Sequence, residues 1–242
     1  MSTPKAEPVP AVEVPRDLNL AVHYVDGAVA AGHGERLAYL YEGESLSYAE
    51  LARRVNRVGN ALAGLGVEME QRVAILLPNR PEFATSFYGA AKIGAVPAPI
   101  SFAVLPDEQA FLLGDSRARA IVTTPAMWAP LRDRRGDFPF LRHVLLVGGA
   151  DRRSGEHDLA DLTAAAPDEL AAAPTCCDDV AFWLCQGSPN FPPSRSPKIP
   201  PLLRLFSSLK RNLAAGPVGP VGGAAVGAVQ GAVGNAAFWR FP

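Results

Sequence analysis

The chain has 242 residues, a formal net charge of −1 and 48% apolar residues. This length allows one sizeable core or two small ones, and the near-zero net charge argues against a protein whose whole surface attracts nucleic acid. The three cysteines, Cys176, Cys177 and Cys185, show no CxxC or Cys/His ligand spacing. The sequence therefore supports neither a disulfide framework nor a zinc site, and we expect a reduced, cytoplasmic setting.

The charges are distributed unevenly along the chain. All 24 Asp and Glu and 17 of the 23 Lys and Arg lie before residue 186, which gives a formal charge of −7 there and +6 in residues 186–242. The same final segment holds 9 of the 23 Pro and 8 of the 22 Gly. We therefore divide the chain into a disordered Pro-rich lead-in that is not a secretion signal (1–18), a folded part (19–185) and a disordered tail of aberrant composition (186–242).

The first predicted elements are a strand and a helix in LAYLYEGESLSYAEL, with a turn at Gly43. Ser47 and Glu50 have the spacing of a capping box, in which the serine oxygen accepts the N–H three residues later. Apolar residues then recur at helical spacing and predict one buried face, with the arginines of ELARRVNRV turned outward; this face comprises Leu51, Val55, Val58, Leu62 and Leu65.

Strands and helices alternate along the next hundred residues. RVAILLP predicts a buried strand, and Pro81 opens a helix expected to bury Phe83, Phe87 and either Ala91 or Ile93 before it ends at Gly94. An extended AVPAPI, a helix from Pro106 to about Ser116 and the strands ARAIVTT and LRHVLLVGG follow. GADRRSGEHD predicts a solvated loop, DLADLTAAAPDELAAAPT a helix, and DDVAFWL a last strand. This alternation is typical of an α/β protein with a mostly parallel sheet.

Several of these segments carry a family resemblance. LSYAEL resembles an early helix-start motif of the adenylate-forming ligases, the superfamily of acyl-CoA synthetases, and AKIGAVPAPIS resembles the next motif, Lys-x-Gly-Ala-x-x-x-Pro. PTCCDDVAFWL is most similar to the benzoate–CoA ligase branch. The resemblance covers residues 19–185, and it implies an α/β fold that is the incomplete N-terminal part of a layered, mostly parallel sheet domain, followed by the disordered tail.

The resemblance implies a chemistry that this chain does not complete. Intact relatives use ATP, Mg²⁺ and CoA to convert a carboxylic acid, in this branch an aromatic one, into an acyl-adenylate and then a thioester. Their phosphate-binding loop, rich in Ser, Thr and Gly, follows the strand that DDVAFWL matches. The segment Cys185–Pro193 offers one glycine and three prolines, which have no N–H to donate. Lys198 is not followed by glycine, and none of the 44 residues after it is Asp or Glu, so the family's metal-binding Glu and ribose-binding Asp have no counterpart there.

We therefore assign no catalytic, cofactor-binding or metal-binding residue and expect no cofactor for this chain. The four histidines are scattered in the sequence, the cysteines have uncharged neighbours, and Ser207 and Ser208 lack the glycines of a nucleophile elbow. Mixed-sign loops such as LRDRRGD are solvated, so we predict no nucleic-acid partner. Glycines spaced by four in residues 219–231 resemble a membrane packing pattern, but Pro217 and Pro220 interrupt the segment and we predict no membrane span.

The favoured interpretation is a truncated acid–CoA ligase that is inactive alone, with a tail explained by a change of reading frame or a misjoined gene near residue 185. Self-association through the uncovered sheet is expected, and sedimentation velocity would detect it. One alternative is a non-catalytic fragment that binds a protein or a membrane through its basic, apolar tail. Another is a fully active ligase whose tail is an error in the sequence.

Overall fold

A short antiparallel hairpin leads into the first long helix. In the computed structural model, which describes residues 14–149 and 151–184, β1 (Leu37–Tyr41) pairs with β2 (Glu44–Ser47). Gly43 in the turn between them has a φ of 86°, a conformation that glycine adopts without strain. The predicted cap of α1 (Tyr48–Gly64) is confirmed, because the Ser47 hydroxyl oxygen accepts the N–H of Glu50 at 3.3 Å. The Glu50 carboxylate contacts Arg54 at 2.8 Å.

A five-stranded parallel sheet forms the centre of the domain. Its strands in chain order are β3 (Arg72–Leu76), β4 (Val96–Pro99), β5 (Ala120–Thr123), β6 (His143–Leu146) and β7 (Glu156–Asp158). Their spatial order is β4-β3-β5-β6-β7, and every neighbouring pair is parallel. The predicted α/β class and the mostly parallel sheet are confirmed.

Helices cover both faces of this sheet. They are α2 (Pro81–Lys92), α3 (Pro106–Asp115), α4 (Pro125–Arg132) and α5 (Leu159–Ala164), in addition to α1. Alternate strand residues point to opposite faces, so Ile121 and Val144 pack with α3 and α4, whereas Val122 and Leu145 pack with α1, α2 and α5. The result is a three-layer α/β/α arrangement.

The N-terminal segment closes a third apolar cluster. Two short π-helical stretches, Val22–Asp26 and Val29–His33, precede the hairpin. Val25, Tyr39 and Leu51 are buried together in this cluster with residues of α2. The expected boundary at residue 18 lies inside a described segment, where Leu18 N–H donates to the Thr175 carbonyl oxygen at 3.0 Å. Residues 1–13 and 185–242, which include most of the predicted lead-in and the predicted tail, lie outside the described residues.

Glycines set the distance between α1 and α2. A Cβ atom on Gly89 would lie 3.0 Å from the Gly59 nitrogen and 3.1 Å from the Val55 carbonyl oxygen. The two helices therefore approach backbone to backbone, which a larger side chain would prevent. Beside this contact, the buried apolar side chains of α2 include Ala84, Tyr88, Ala90 and Ala91.

Several predicted elements differ from those in the structure. Phe83 and Phe87 are only partly buried, because α2 presents its Ala84 and Tyr88 side to α1. The helix α4 was not predicted, and residues 156–158, predicted as solvated loop, form β7. The helix predicted after residue 158 is shorter than expected and ends at Ala164.

The segment DDVAFWL, predicted as a strand, does not form one in the described residues: Asp178 lies in a turn, Asp179 in a bend, and the residues from Val180 to Leu184 have no regular secondary structure. Trp183 N–H donates to the Pro97 carbonyl oxygen at 3.0 Å beside the outer edge of β4. Val96 and Ile100 direct their N–H groups toward β3, so the outward positions of this strand include Pro97 and Pro99, which have no N–H. This edge therefore offers acceptors to an incoming segment but few donors.

Candidate functional site

The carboxyl edge of the parallel sheet is the candidate ligand site, since open α/β sheets bind ligands there. Its polar side chains are committed to local structure. Arg80 contacts the Glu82 carboxylate through Nε at 2.6 Å and through Nη2 at 3.1 Å. Ser101 Oγ accepts the Ala103 N–H at 3.2 Å, and Thr124 Oγ1 caps α4 by accepting the Met127 N–H at 3.3 Å. These contacts leave no visible constellation for acid–base or nucleophilic chemistry at this edge of the described chain.

The last described residues run beside β4 toward this edge. Ala181 lies near Ala95, and Trp183 is hydrogen-bonded to Pro97, so the segment advances in the same direction as β4. The Phe182 ring packs against Phe87 with centroids 5.6 Å apart, and the Arg72 guanidinium lies 5.4 Å from the centre of the Trp183 ring. Cys185–Pro193, where the family pattern places the phosphate loop, lies outside the described residues.

A buried ion pair accounts for the lysine of the AKIGAVPAPIS motif. The Lys92 side chain is 4% exposed, and its Nζ lies 2.7 Å from an Asp26 carboxylate oxygen and 2.6 Å from the Asn56 side-chain oxygen. Asn56 in turn donates to the Asp168 carbonyl oxygen at 2.8 Å. The lysine thus joins the N-terminal segment to α1 and α2, a structural role that the motif spacing did not reveal.

Two histidines that are scattered in sequence meet in the structure. His143 on β6 and His157 on β7 approach to 3.2 Å between Nδ1 and Nε2, a contact that their separation in the sequence did not predict. Burial lowers the pKa of His143, and the charges of His157 and Arg119 lower it further. In the parallel pairing of β6 with β7, His157 lies opposite Leu145, which is on the same face of the sheet as His143, and this places the two rings side by side.

The described residues hold no donor set that fits the ATP and Mg²⁺ of the resembled family. Within residues 14–149 and 151–184, no group of three or more His, Cys, Asp or Glu side chains is placed to hold a metal ion. Cys176 and Cys177 are free thiols beside a cavity of about 40 Å³. That volume suits a water molecule but not a nucleotide or an aromatic acid.

Helix length and composition also bear on membrane insertion. None of the helices in the described ranges combines the length and apolar character that crossing a bilayer requires.

Comparison with known sequences places this architecture in one enzyme family. The family model described as AMP-binding enzyme matches residues 27–184. The chain is 39% identical over 168 residues to a 4-hydroxybenzoate–CoA/benzoate–CoA ligase of Rhodopseudomonas palustris, a match that covers 69% of this chain and 31% of the relative. It is 36% identical over 176 residues to a benzoate–CoA ligase of Thauera aromatica, covering 72% of this chain and 33% of the relative.

Solved structures give the same assignment. An anthranilate CoA ligase in complex with anthranoyl-AMP superposes with a TM-score of 0.66 and 27% identity, covering 70% of this chain and 32% of that one. A benzoate CoA ligase from Burkholderia xenovorans superposes with a TM-score of 0.61 and 26% identity, covering 69% and 32% of the two chains. The chain thus spans about a third of the length of the relatives it matches. Because the family model matches 27–184, well over half of the chain, the protein belongs to the family of AMP-binding enzymes.

Proposed function

We propose that this chain is an N-terminal portion of an ATP-dependent acid–CoA ligase for an aromatic carboxylic acid, and that it does not form the acyl-adenylate by itself. The observation that carries the proposal is the extent of the family match. It runs from residue 27 to residue 184 and ends where the pattern requires a phosphate-binding loop. The aromatic substrate class is supported by the two benzoate–CoA ligases at 39% and 36% identity.

The expected inactivity follows from what adenylation requires. The reaction needs hydrogen-bond donors around the triphosphate, a carboxylate for Mg²⁺ and a lysine supplied to the reacting carboxylate. Proline occupies three positions of the segment Cys185–Pro193, and the last Asp or Glu in the sequence is Asp179, before this segment. At the carboxyl edge the guanidinium of Arg80 is already paired with Glu82. The chain therefore supplies the scaffold beneath the site but few of its reacting groups.

A test of the function is benzoate-dependent exchange of pyrophosphate into ATP by the purified 25.6-kDa chain. An intact benzoate–CoA ligase assayed in parallel provides the positive control. We expect no exchange above the rate without benzoate, for benzoate and for 4-hydroxybenzoate alike. Exchange that depends on either acid and co-purifies with the 25.6-kDa species would refute the proposed inactivity.

The intact mass of the protein from its native source separates the remaining interpretations. A mass near 25.6 kDa shows that the short chain exists as such. A mass two to three times larger would show that the native protein is a longer ligase that contains the parts required for adenylation. That result would contradict the proposal that the short chain is the functional species.

A further inference from the structure

The amino edge of the sheet, opposite the carboxyl edge described above, collects arginines. Arg119 N–H donates to the Arg72 carbonyl oxygen at 2.8 Å, and Arg142 N–H donates to the Arg119 carbonyl oxygen at 2.8 Å. These three residues therefore stand side by side where β3, β5 and β6 begin, at the spacing of about 5 Å between neighbouring strands. Arg117 precedes β5, and Arg135 reaches the same place from the α4–β6 connection, where its Nη2 donates to the Arg142 carbonyl oxygen at 2.8 Å. We call these five residues the arginine edge.

The charges of the arginine edge are not neutralised by carboxylates. Elsewhere arginines pair directly, as Arg134 does with Asp107 at 2.6 Å and Arg153 with Asp133 at 2.7 Å. None of the five has a carboxylate oxygen within 4.0 Å in the part of the chain that the structure describes. Glu156 is close enough for its charge to act on Arg135, but Arg132 already holds both of its oxygens.

Some guanidinium groups of the arginine edge contact neutral groups, which satisfy hydrogen bonds but do not cancel the positive charge. Arg72 Nε donates to the Ser116 carbonyl oxygen at 2.9 Å, and the guanidinium of Arg117 lies 5.5 Å from the centre of the Phe140 ring. Burial lowers the pKa of Arg72, and the positive charge of Arg117 lowers it further. The cations therefore act on one another, and an anion placed among them would be attracted by several at once.

Arg119 supplies a specific donor as well as a charge. Its Nε is buried and has no hydrogen-bond partner among the described residues. Buried N–H donors in native proteins are almost always satisfied, because an unmet donor keeps the full desolvation penalty. This unmet donor belongs to the residue whose backbone is paired with that of the exposed Arg142, and it points to a ligand with strong oxygen acceptors.

We propose that the arginine edge binds a phosphate-type oxyanion, held by the guanidinium groups of Arg119 and Arg142 with Arg135 beside them. The planar fork of a guanidinium matches the paired oxygens of phosphate, and the several positive charges suit a dianion better than a single carboxylate. The carbonyl oxygens of Arg72 and Arg119, which would repel an anion, already accept backbone hydrogen bonds from the neighbouring strands. The site lies on the opposite edge from the proposed adenylation site, so it does not depend on the ligase function.

The test is titration of the full chain with inorganic phosphate by calorimetry, with chloride keeping the ionic strength constant. We expect one saturable site and a rise in melting temperature with phosphate, because a ligand that binds only the folded state stabilises it. Arg142→Gln should weaken binding by about tenfold, the loss of one charge-assisted hydrogen bond, and Arg119→Gln by at least as much. Arg53→Gln is the matched control, since Arg53 lies on α1 and pairs with Glu50.

If Arg119→Gln fails to fold, Arg142→Gln still tests the proposal, because the exposed Arg142 side chain can be replaced without disturbing the core. Absence of saturable binding, or equal affinity in Arg142→Gln and wild type, would overturn the proposal. Binding of an oligo-glutamate peptide without binding of phosphate would also overturn it, since the ligand would then be an acidic protein segment. Flotation with phosphatidic acid vesicles, compared with phosphatidylcholine vesicles, tells whether the arginine edge also accepts a lipid-borne phosphate. The proposal is supported in either case if soluble phosphate binds.

Discussion

Glu156 holds β7 and α4 together, and its replacement by glutamine is the sharpest stability test that the structure offers. The Glu156 side chain is 4% exposed. Its Oε1 accepts from Trp128 Nε1 at 2.8 Å and from Arg132 Nε at 2.9 Å, and its Oε2 accepts from Arg132 Nη2 at 2.6 Å and from the Arg153 N–H at 2.8 Å. Glu156→Gln keeps the shape of the side chain but removes its charge and places an NH₂ donor where donors already converge.

The expected magnitude follows from the lowered pKa of this carboxyl group. Burial alone would raise the pKa of Glu156, but the hydrogen bonds from Arg132, Arg153 N–H and Trp128 outweigh it and lower the pKa from 4.5 to about 2. At 1.36 kcal/mol per pH unit, the ionised carboxylate stabilises the fold by about 3 kcal/mol at neutral pH. Removing one partner of a buried ion pair typically costs about 3–5 kcal/mol, so the two arguments agree.

The sign of the pH dependence distinguishes this mechanism from a simple packing defect. A carboxyl group with a lowered folded-state pKa stabilises fully above pH 4.5, and this contribution is lost as the pH falls toward 2. The difference in unfolding free energy between wild type and Glu156→Gln should therefore shrink from about 3 kcal/mol at pH 7 to about 1.4 kcal/mol at pH 3. Urea unfolding followed by circular dichroism at both pH values measures it.

Asp151→Asn is the matched control, because Asp151 contacts the same Arg132 at 2.9 Å but is 87% exposed. An exposed pair contributes about 0–1 kcal/mol, so this variant should unfold close to wild type. A loss below about 1 kcal/mol in Glu156→Gln, or a loss that does not change with pH, would refute the reasoning.

Two further predictions concern the helix contact and the histidine pair. Gly89→Ala should lower the unfolding free energy by about 1–3 kcal/mol, because its Cβ would lie 3.0 Å from the Gly59 nitrogen. Gly64→Ala is the control and should be neutral or stabilising, because a Cβ atom at Gly64 would have no atom within 4 Å. Equal urea midpoints for the two variants would contradict this. Burial, His157 and Arg119 lower the pKa of His143 in the folded state, so protonation of its ring opposes folding. The stability that the neutral ring provides is therefore present above pH 6.5 and is lost as the pH falls below that value. The melting temperature of the wild type should decline there more steeply than that of His143→Gln, and parallel pH curves for the two proteins would show that His143 does not carry this dependence.

The elements that were predicted correctly from the sequence are those whose apolar residues repeat at the spacing of one buried helix face or form one buried strand. The face Leu51, Val55, Val58 and Leu62 is buried as expected, and the strands RVAILLP, ARAIVTT and LRHVLLVGG fall in the parallel sheet. In each case the spacing of apolar residues and the position of Pro or Gly are local signals, so no knowledge of distant contacts is needed.

The missed elements are the ones that distant contacts create. β7 has the sequence EHD, without an apolar residue, and forms because Glu156 is satisfied by α4. α4 contains Pro130, which removes an N–H from the helix interior, yet Thr124 caps it and Trp128 anchors it at 1% exposure. Conversely, DDVAFWL has the apolar character of a strand, but the described part of it meets an edge on which Pro97 and Pro99 donate nothing.

The candidate sites show the same division between local pattern and topology. A net charge of −1, and of −7 before residue 186, argues against an anion-binding surface if charge is averaged over the chain. The fold changes this conclusion because parallel strands start at a common edge. Arg72, Arg119 and Arg142 are far apart in sequence, but two backbone hydrogen bonds of 2.8 Å, from Arg119 to Arg72 and from Arg142 to Arg119, make them neighbours. The carboxylates that balance the total charge are placed elsewhere, many of them on other arginines, so a positive field can persist at one edge of a chain that is acidic as a whole.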